Sequence, residues 1–263
     1  MQENFSRREL IEPSELRRLN EKSNFMGFFQ LFSHLIAILL ISVLHYKLIY
    51  SWWSLASGFA LGVLINFLYA GQHELSHGTV FKTFKLNEFF GRIIGFFMLF
   101  PRDFDQIMHF AHHKWTQDWE KDGELVREPF TIKTYLLWFW GVTYWRNRIV
   151  GIFRRARGVV IEPYINPSEY KKVILESRLH VFGYLIIFIL SLYFNSWAAL
   201  TFWILPMLIT KPIHQMQNTI EHLGLTHKKD ILQNTRSTRT NFLMKWLCSV
   251  SYTHLTLPTT SAV

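Results

Sequence analysis

The chain alternates long apolar runs with polar, basic stretches. Two runs, FMGFFQLFSHLIAILLISVLH (25–45) and WWSLASGFALGVLINFLYAGQ (52–72), are joined by the short segment YKLIYS. Two more, LHVFGYLIIFILSLYF (179–194) and a run over 197–212, meet at NSW. A helix needs about 20 apolar residues to cross the hydrocarbon of a bilayer. The pattern therefore predicts two helical hairpins that span a membrane. Trp52 and Trp53 mark an interface, and Pro206 and Pro212 mark kinks in the fourth span. Residues 1–24 are polar and read as a cytoplasmic lead-in with a helix from Ser14, not as a secretory signal peptide. Between the hairpins lies a polar block, 78–178, holding the shorter apolar stretches EFFGRIIGFFMLFP (88–101) and TYLLWFWGVTYW (134–145). Charge lies close on either side of both, with Arg146 and Arg148 following the second, so they read as interfacial or re-entrant helices. The expected fold is all-α integral membrane: four transmembrane helices in two hairpins, with a cytoplasmic helical cap.

Charge sets the orientation. The net charge is +9, and sixteen of the 28 Lys and Arg fall between residues 78 and 178. Five more precede residue 25 and six lie from 211 onward. Basic residues concentrate in cytoplasmic segments of membrane proteins, so both termini and the central block are expected on the cytoplasmic side. Basic clusters such as Arg154, Arg155 and Arg157 suit anionic headgroups. No nucleic-acid recognition motif accompanies the charge, so nucleic acid is set aside as a partner. Aromatic residues make up 17% of the chain, high for a soluble domain, while 18% charged residues preclude burial wholly in lipid. The one cysteine, Cys248, excludes an intramolecular disulfide and any cysteine-based zinc or iron–sulfur site. A metal site here must be built from His, Asp or Glu.

Histidine supplies the candidates. Seven of twelve histidines fall into three groups: His73 and His77 in HELSH, His109, His112 and His113 in HFAHH, and His222 with His227. Residues three and four apart share a helix face, so the first two groups can each aim several imidazoles at one point. Asn218 and His222 are also four apart. The first group directly follows the second span, and His222 follows the fourth by a similar length, which places both just beyond the cytoplasmic face. His34, His45, His180 and His214 stand alone and read as packing or interfacial histidines.

HELSH also matches H-E-x-x-H, the zinc-protease pattern in which Glu74 would be the base. The extended form of that motif would need histidine at position 83, which is Thr83. Zinc takes about four ligands, whereas six or more histidines suggest two ions. Nitrogen-rich coordination suits iron as well as zinc or copper. Oxidation of an unactivated C–H bond in a lipid requires a redox metal. An intramembrane zinc protease and a non-catalytic membrane protein remain the alternatives from these residues.

With GQHELSHGTVFKTFKLNEFFGR, HFAHHKWTQDWEKDGEL and EHLGLT followed by NTRSTRTN, the chain resembles the membrane fatty acid desaturase superfamily over roughly residues 50–247. The resemblance implies iron ligation by His73, His77, His109, His112, His113 and His222, with Asn218 holding a water on iron. It implies Glu74, Asp118, Asp122 and Glu221 as groups that orient imidazoles. The implied cofactors are two iron ions, with O2 as co-substrate and an acyl chain or membrane lipid as substrate. The implied electron donor is a separate ferredoxin or cytochrome b5 type protein, and the two aromatic stretches would border an acyl tunnel. The same boxes occur in related hydroxylases and ketolases. The superfamily pattern includes a third His/Gln-x-x-His-His box after the NTR segment, but here the chain runs MKWLCSVSYTHLTLPTTSAV, where His254 is the last histidine. The expectation is a desaturase-like domain over 25–248, C-terminally truncated, followed by a non-native tail over 249–263 that resembles translated adaptor sequence.

Overall fold

The computed structural model describes residues 12–19, 21–115, 118, 120, 122–124, 131–222 and 241–247, without the side chains of Leu16, Leu19 and 217–222. Among the described residues every regular element is helical, and there is no strand. A short helix, α1 (Pro13–Leu19), precedes two long ones, α2 (Asn24–Leu48) and α3 (Trp53–His77). Then come α4 (Phe84–Phe97), α5 (Arg102–Trp115), α6 (Ile132–Phe139), α7 (Val142–Ala156) and α8 (Tyr170–Tyr193). A π-helical turn, Leu200–Ile204, leads into α9 (Leu205–Ile209), α10 (Lys211–His222) and α11 (Phe242–Leu247).

Among the described residues three helical segments are long and apolar enough to cross a membrane: Asn24–Leu48, Trp53–His77 and Pro167–Tyr193. On α2 and α8 the apolar side chains face outward, Leu39, Leu40, Phe182, Phe188 and Leu192 among them. In water such surfaces would be an aggregation hazard, whereas in lipid they are at home. The predicted fourth run, 197–212, is not one continuous helix. It is divided into the π turn, α9 and the start of α10, with a turn at Thr210. Proline has no N–H to give the helix ladder, and Pro206 and Pro212 sit at these breaks. The apolar stretch 134–145 also differs from a single interfacial helix. Gly141 adopts a left-handed φ of 71° and separates α6 from α7.

The central helix is α3, packed against α2, α4, α5, α9, α10 and α11. Its contact with α9 is close because it carries a glycine there: a Cβ on Gly62 would lie 2.1 Å from the Pro206 carbonyl oxygen. Close approach through small residues is how helices pack without a hydrophobic driving force. One turn on, Asn66 Nδ2 donates to Met207 O at 2.8 Å and to Thr210 Oγ1 at 2.7 Å. These bonds fix α9 against the span that ends in the first histidine pair. Three of the isolated histidines are packing groups too. His34 Nε2 lies 2.8 Å from Leu64 O, His45 Nδ1 lies 2.9 Å from Ser57 Oγ, and His180 Nδ1 lies 2.9 Å from Tyr184 Oη.

Candidate metal centre

The site is built where α3 ends. Gly78, in the left-handed region at φ 66°, closes the helix immediately after His77, and its N–H bonds to Leu75 O at 3.1 Å. A residue with a Cβ is strained in that conformation, which is why glycine terminates helices this way. The chain then returns through α4, and α5 is laid against the last turns of α3. Glu176 of α8 holds the start of α5, accepting from the backbone N–H of Asp103 at 2.9 Å and of Phe104 at 3.3 Å. On the facing sides of α3 and α5, Gln72 Nε2 donates to Asp105 Oδ2 at 2.9 Å, and Gln106 Nε2 donates to Ser76 O at 2.6 Å. These polar contacts fix the register between the helices that carry the HELSH and HFAHH histidines.

That register brings four histidines together. One ring nitrogen each from His73, His77, His109 and His113 lies within 4.8 Å of the others. His109 Nε2 is 2.8 Å from His77 Nε2 and 2.8 Å from His113 Nε2. The other nitrogen of His109, Nδ1, faces Glu124 Oε1 at 3.2 Å. A carboxylate there accepts a hydrogen bond from Nδ1–H and so turns the Nε2 lone pair toward the two neighbouring rings. Three imidazole nitrogens aimed at one point satisfy each other poorly through a single proton, whereas a cation can take a lone pair from each. The donor set and its convergence fit a transition-metal ion.

His112 stands beside this group. Its ring centroid is 6.1 Å from those of both His109 and His113, and its Nδ1 is 2.9 Å from each oxygen of the Asp122 carboxylate. Asp122 thus lies against the imidazole beside the cluster. Glu74 is placed otherwise: its Oε2 accepts from Thr79 Oγ1 at 2.7 Å, and it is not among the four converging residues. Asp118 Oδ1 accepts from the Glu120 N–H at 3.0 Å. His222 ends α10, and its side chain, with those of Asn218 and Glu221, lies outside the described residues, as do His227, Cys248 and 249–263.

Two carboxyls escaped the sequence reading. Glu124, fifteen residues beyond His109 in a loop, carries no periodic signal, and only the fold shows that it reaches Nδ1. Burial pushes its carboxyl up, opposed by the neighbouring His112. Asp105 is 2% exposed, and burial raises its carboxyl to about 8. Its signal was present, since Asp105 lies four residues before His109 and so on the same face of α5.

The fold and the site together define a helical membrane protein with a four-histidine cluster at the end of a candidate span. The chain belongs to the fatty acid desaturase family, whose model matches residues 50–255. That range includes all three histidine groups, with Glu124 against His109 and Asp122 against His112. No curated protein and no solved structure matches the chain. Family membership gives it a desaturase-like, fatty-acid-modifying function of the oxidoreductase class in a bilayer.

Proposed function

We propose that the protein is a di-iron, O2-dependent acyl desaturase that introduces a double bond into a lipid or fatty acyl chain. The observation that carries this reading is the convergence of His73, His77, His109 and His113 from two helices. His112 lies beside them and is proposed as a ligand too, with His222 contributed by α10. The alternating pattern supports a fourth crossing over 197–212, interrupted at its prolines. The basic central block supports a cytoplasmic position for the cluster and both termini.

Bound iron, with O2 and two electrons from a separate ferredoxin or cytochrome b5 type donor, supplies the oxidising power to convert CH2–CH2 plus two protons into CH=CH and two waters. The chain's own residues prepare the place. The histidines hold the metal through neutral imidazole nitrogens. Glu124 and Asp122 accept hydrogen bonds from the Nδ1–H groups of His109 and His112, which turns the Nε2 of each ring toward the metal position. The α3–α5 contacts through Gln72, Ser76, Asp105 and Gln106 keep the two ligand sets in register. The outward apolar faces of α2 and α8 keep the assembly in the lipid that holds the substrate.

The protease reading loses support because Glu74 is engaged with Thr79. A hydroxylase or ketolase would use the same ligand set and is separated by product. The test is expression of the reading frame with an electron donor, followed by gas chromatography of total lipids. New double bonds that disappear in a His109→Ala variant support desaturation. New oxygen in the acyl chains would assign hydroxylation, and unchanged lipids with an iron-loaded protein would contradict both.

A further inference from the structure

A second group of buried polar side chains surrounds Tyr144, beyond the histidine cluster. Lys211 Nζ lies 3.2 Å from the centre of the Tyr144 ring, and the Arg148 guanidinium carbon lies 4.0 Å from it. The Trp145 ring is 4.9 Å away and the His214 ring 6.3 Å. Lys211 has no exposed surface, and its Nζ meets His214 Nδ1. Arg148 Nη1, Trp145 Nε1 and His214 Nε2 are buried without a hydrogen bond, and the buried Tyr144 hydroxyl finds no acceptor. Among the described residues neither Arg148 nor Lys211 has a carboxylate within ion-pair distance. Asp105 and Glu124 act on Arg148 only from further off, on the side of His109.

A lysine, an arginine and three further N–H or O–H groups thus face one another with almost nothing to accept from them. Burying a cation without its counter-charge costs several kcal/mol. Cation–π contact with Tyr144, and with Phe100 for Arg148, returns about 0.5–2 kcal/mol each. Buried donors in native proteins nearly always have an acceptor. A water would satisfy a donor but bring no charge, whereas an oxyanion brings both charge and several acceptor lone pairs. The place matters as well. The His214 ring packs 5.0 Å from that of Tyr69, which precedes His73 by one turn of α3, about 6 Å along its axis. The donors therefore border the proposed metal site, on its membrane side.

We propose that Arg148, Lys211 and Tyr144, with Trp145 and His214, bind the oxyanion of an acyl lipid, either a fatty carboxylate or a headgroup phosphate. The proposal rests on the reading of an acyl substrate given above. The site selects an anionic polar end over an alcohol or a neutral ester, and it draws on elements that the histidine pattern leaves unassigned.

The test uses the full chain in a neutral maltoside detergent, with binding of decanoate, decyl phosphate and decanol followed by calorimetry. At least one anionic probe is expected to bind about tenfold or more tightly than decanol. Lys211→Met and Arg148→Met each remove most of that preference, and Tyr144→Phe, which deletes one hydroxyl without changing shape, reduces it a few-fold. Retained decanol binding shows that the variants are folded. Preference for decanoate over decyl phosphate assigns the carboxylate, and the reverse assigns the phosphate. Decanol binding as tightly as both anions, or an anion preference that survives in the Lys211→Met and Arg148→Met variants, overturns the proposal. So does competition by acetate or inorganic phosphate as effective as by the chain-bearing probes. Because the readout needs neither iron nor turnover, an intact anion preference with unchanged lipids would count against the desaturase reading and leave this site standing.

Discussion

Asp105 ties the first histidine helix to the second, and its titration gives a signature that can be measured. Its Oδ2 accepts from Gln72 Nε2 at 2.9 Å and Ser76 Oγ at 3.4 Å, while Oδ1 is buried with no hydrogen bond. Gln72 and Ser76 immediately precede His73 and His77. Burial, reinforced by Glu124 and opposed by Arg148 and the Gln72 bond, raises the carboxyl from 3.8 to about 8. Across that interval the folded protein keeps a proton that the unfolded chain has lost. Stability contributed by Asp105 therefore falls as pH rises from about 4 to about 8 and levels off above. The limiting slope is about 1.4 kcal/mol per pH unit. Asp105→Asn keeps the shape and one acceptor but cannot titrate. The assay is denaturant unfolding in maltoside micelles, wild type against variant, at steps from about pH 5.5 to about pH 9. The wild-type advantage over the variant should shrink by about 3 kcal/mol between about pH 5.5 and about pH 8, then stay constant. A difference that does not move with pH would refute the assignment of a raised, buried carboxyl at the α3–α5 contact.

Other outcomes follow from the same geometry. Asp122→Asn and Glu124→Gln each leave an imidazole without its anchor, and each should lower metal affinity by about 10–100-fold, read by chelator competition. His73→Ala and His113→Ala should abolish metal retention while leaving the helical circular dichroism unchanged. Gly62→Ala places a methyl 2.1 Å from the Pro206 oxygen and must push α9 from α3. A loss of about 2–4 kcal/mol is expected, seen as a lower unfolding midpoint in detergent.

Much of the fold was legible because lipid imposes a simple code. The runs at 25–45 and 52–72 became α2 and α3 with modest shifts of their ends, and 179–194 became α8, which begins nine residues earlier, at Tyr170. The stretch 88–101 became α4, displaced by about one turn. The breaks were harder. Pro206 and Pro212 marked the interruption of the fourth run, but not its π-helical turn. Gly141, which splits 134–145 into two helices, looks like any other glycine until its φ is known. At the site, helical spacing sufficed for His73 with His77 and for His109 with His113, because each pair lies on one helix. That the two pairs share one point depends on the α3–α5 register, set by Gln72, Asp105 and Gln106, contacts between residues about 30 apart in sequence. Glu124 was invisible for a related reason, since a loop carboxylate has no period to betray its partner. Among the isolated histidines the reading as packing groups suited His34, His45 and His180. His214 differs, because its neighbours Lys211, Tyr144 and Arg148 come from two helices that no local pattern connects.

The most direct test of the central claim is elemental analysis of the protein purified in detergent from iron-replete cells, with a His109→Ala variant prepared in parallel. Iron is expected in the wild-type protein and none above background in the variant, with equal helicity in both. Zinc in place of iron, or no metal in a protein of full helical content, would contradict the claim.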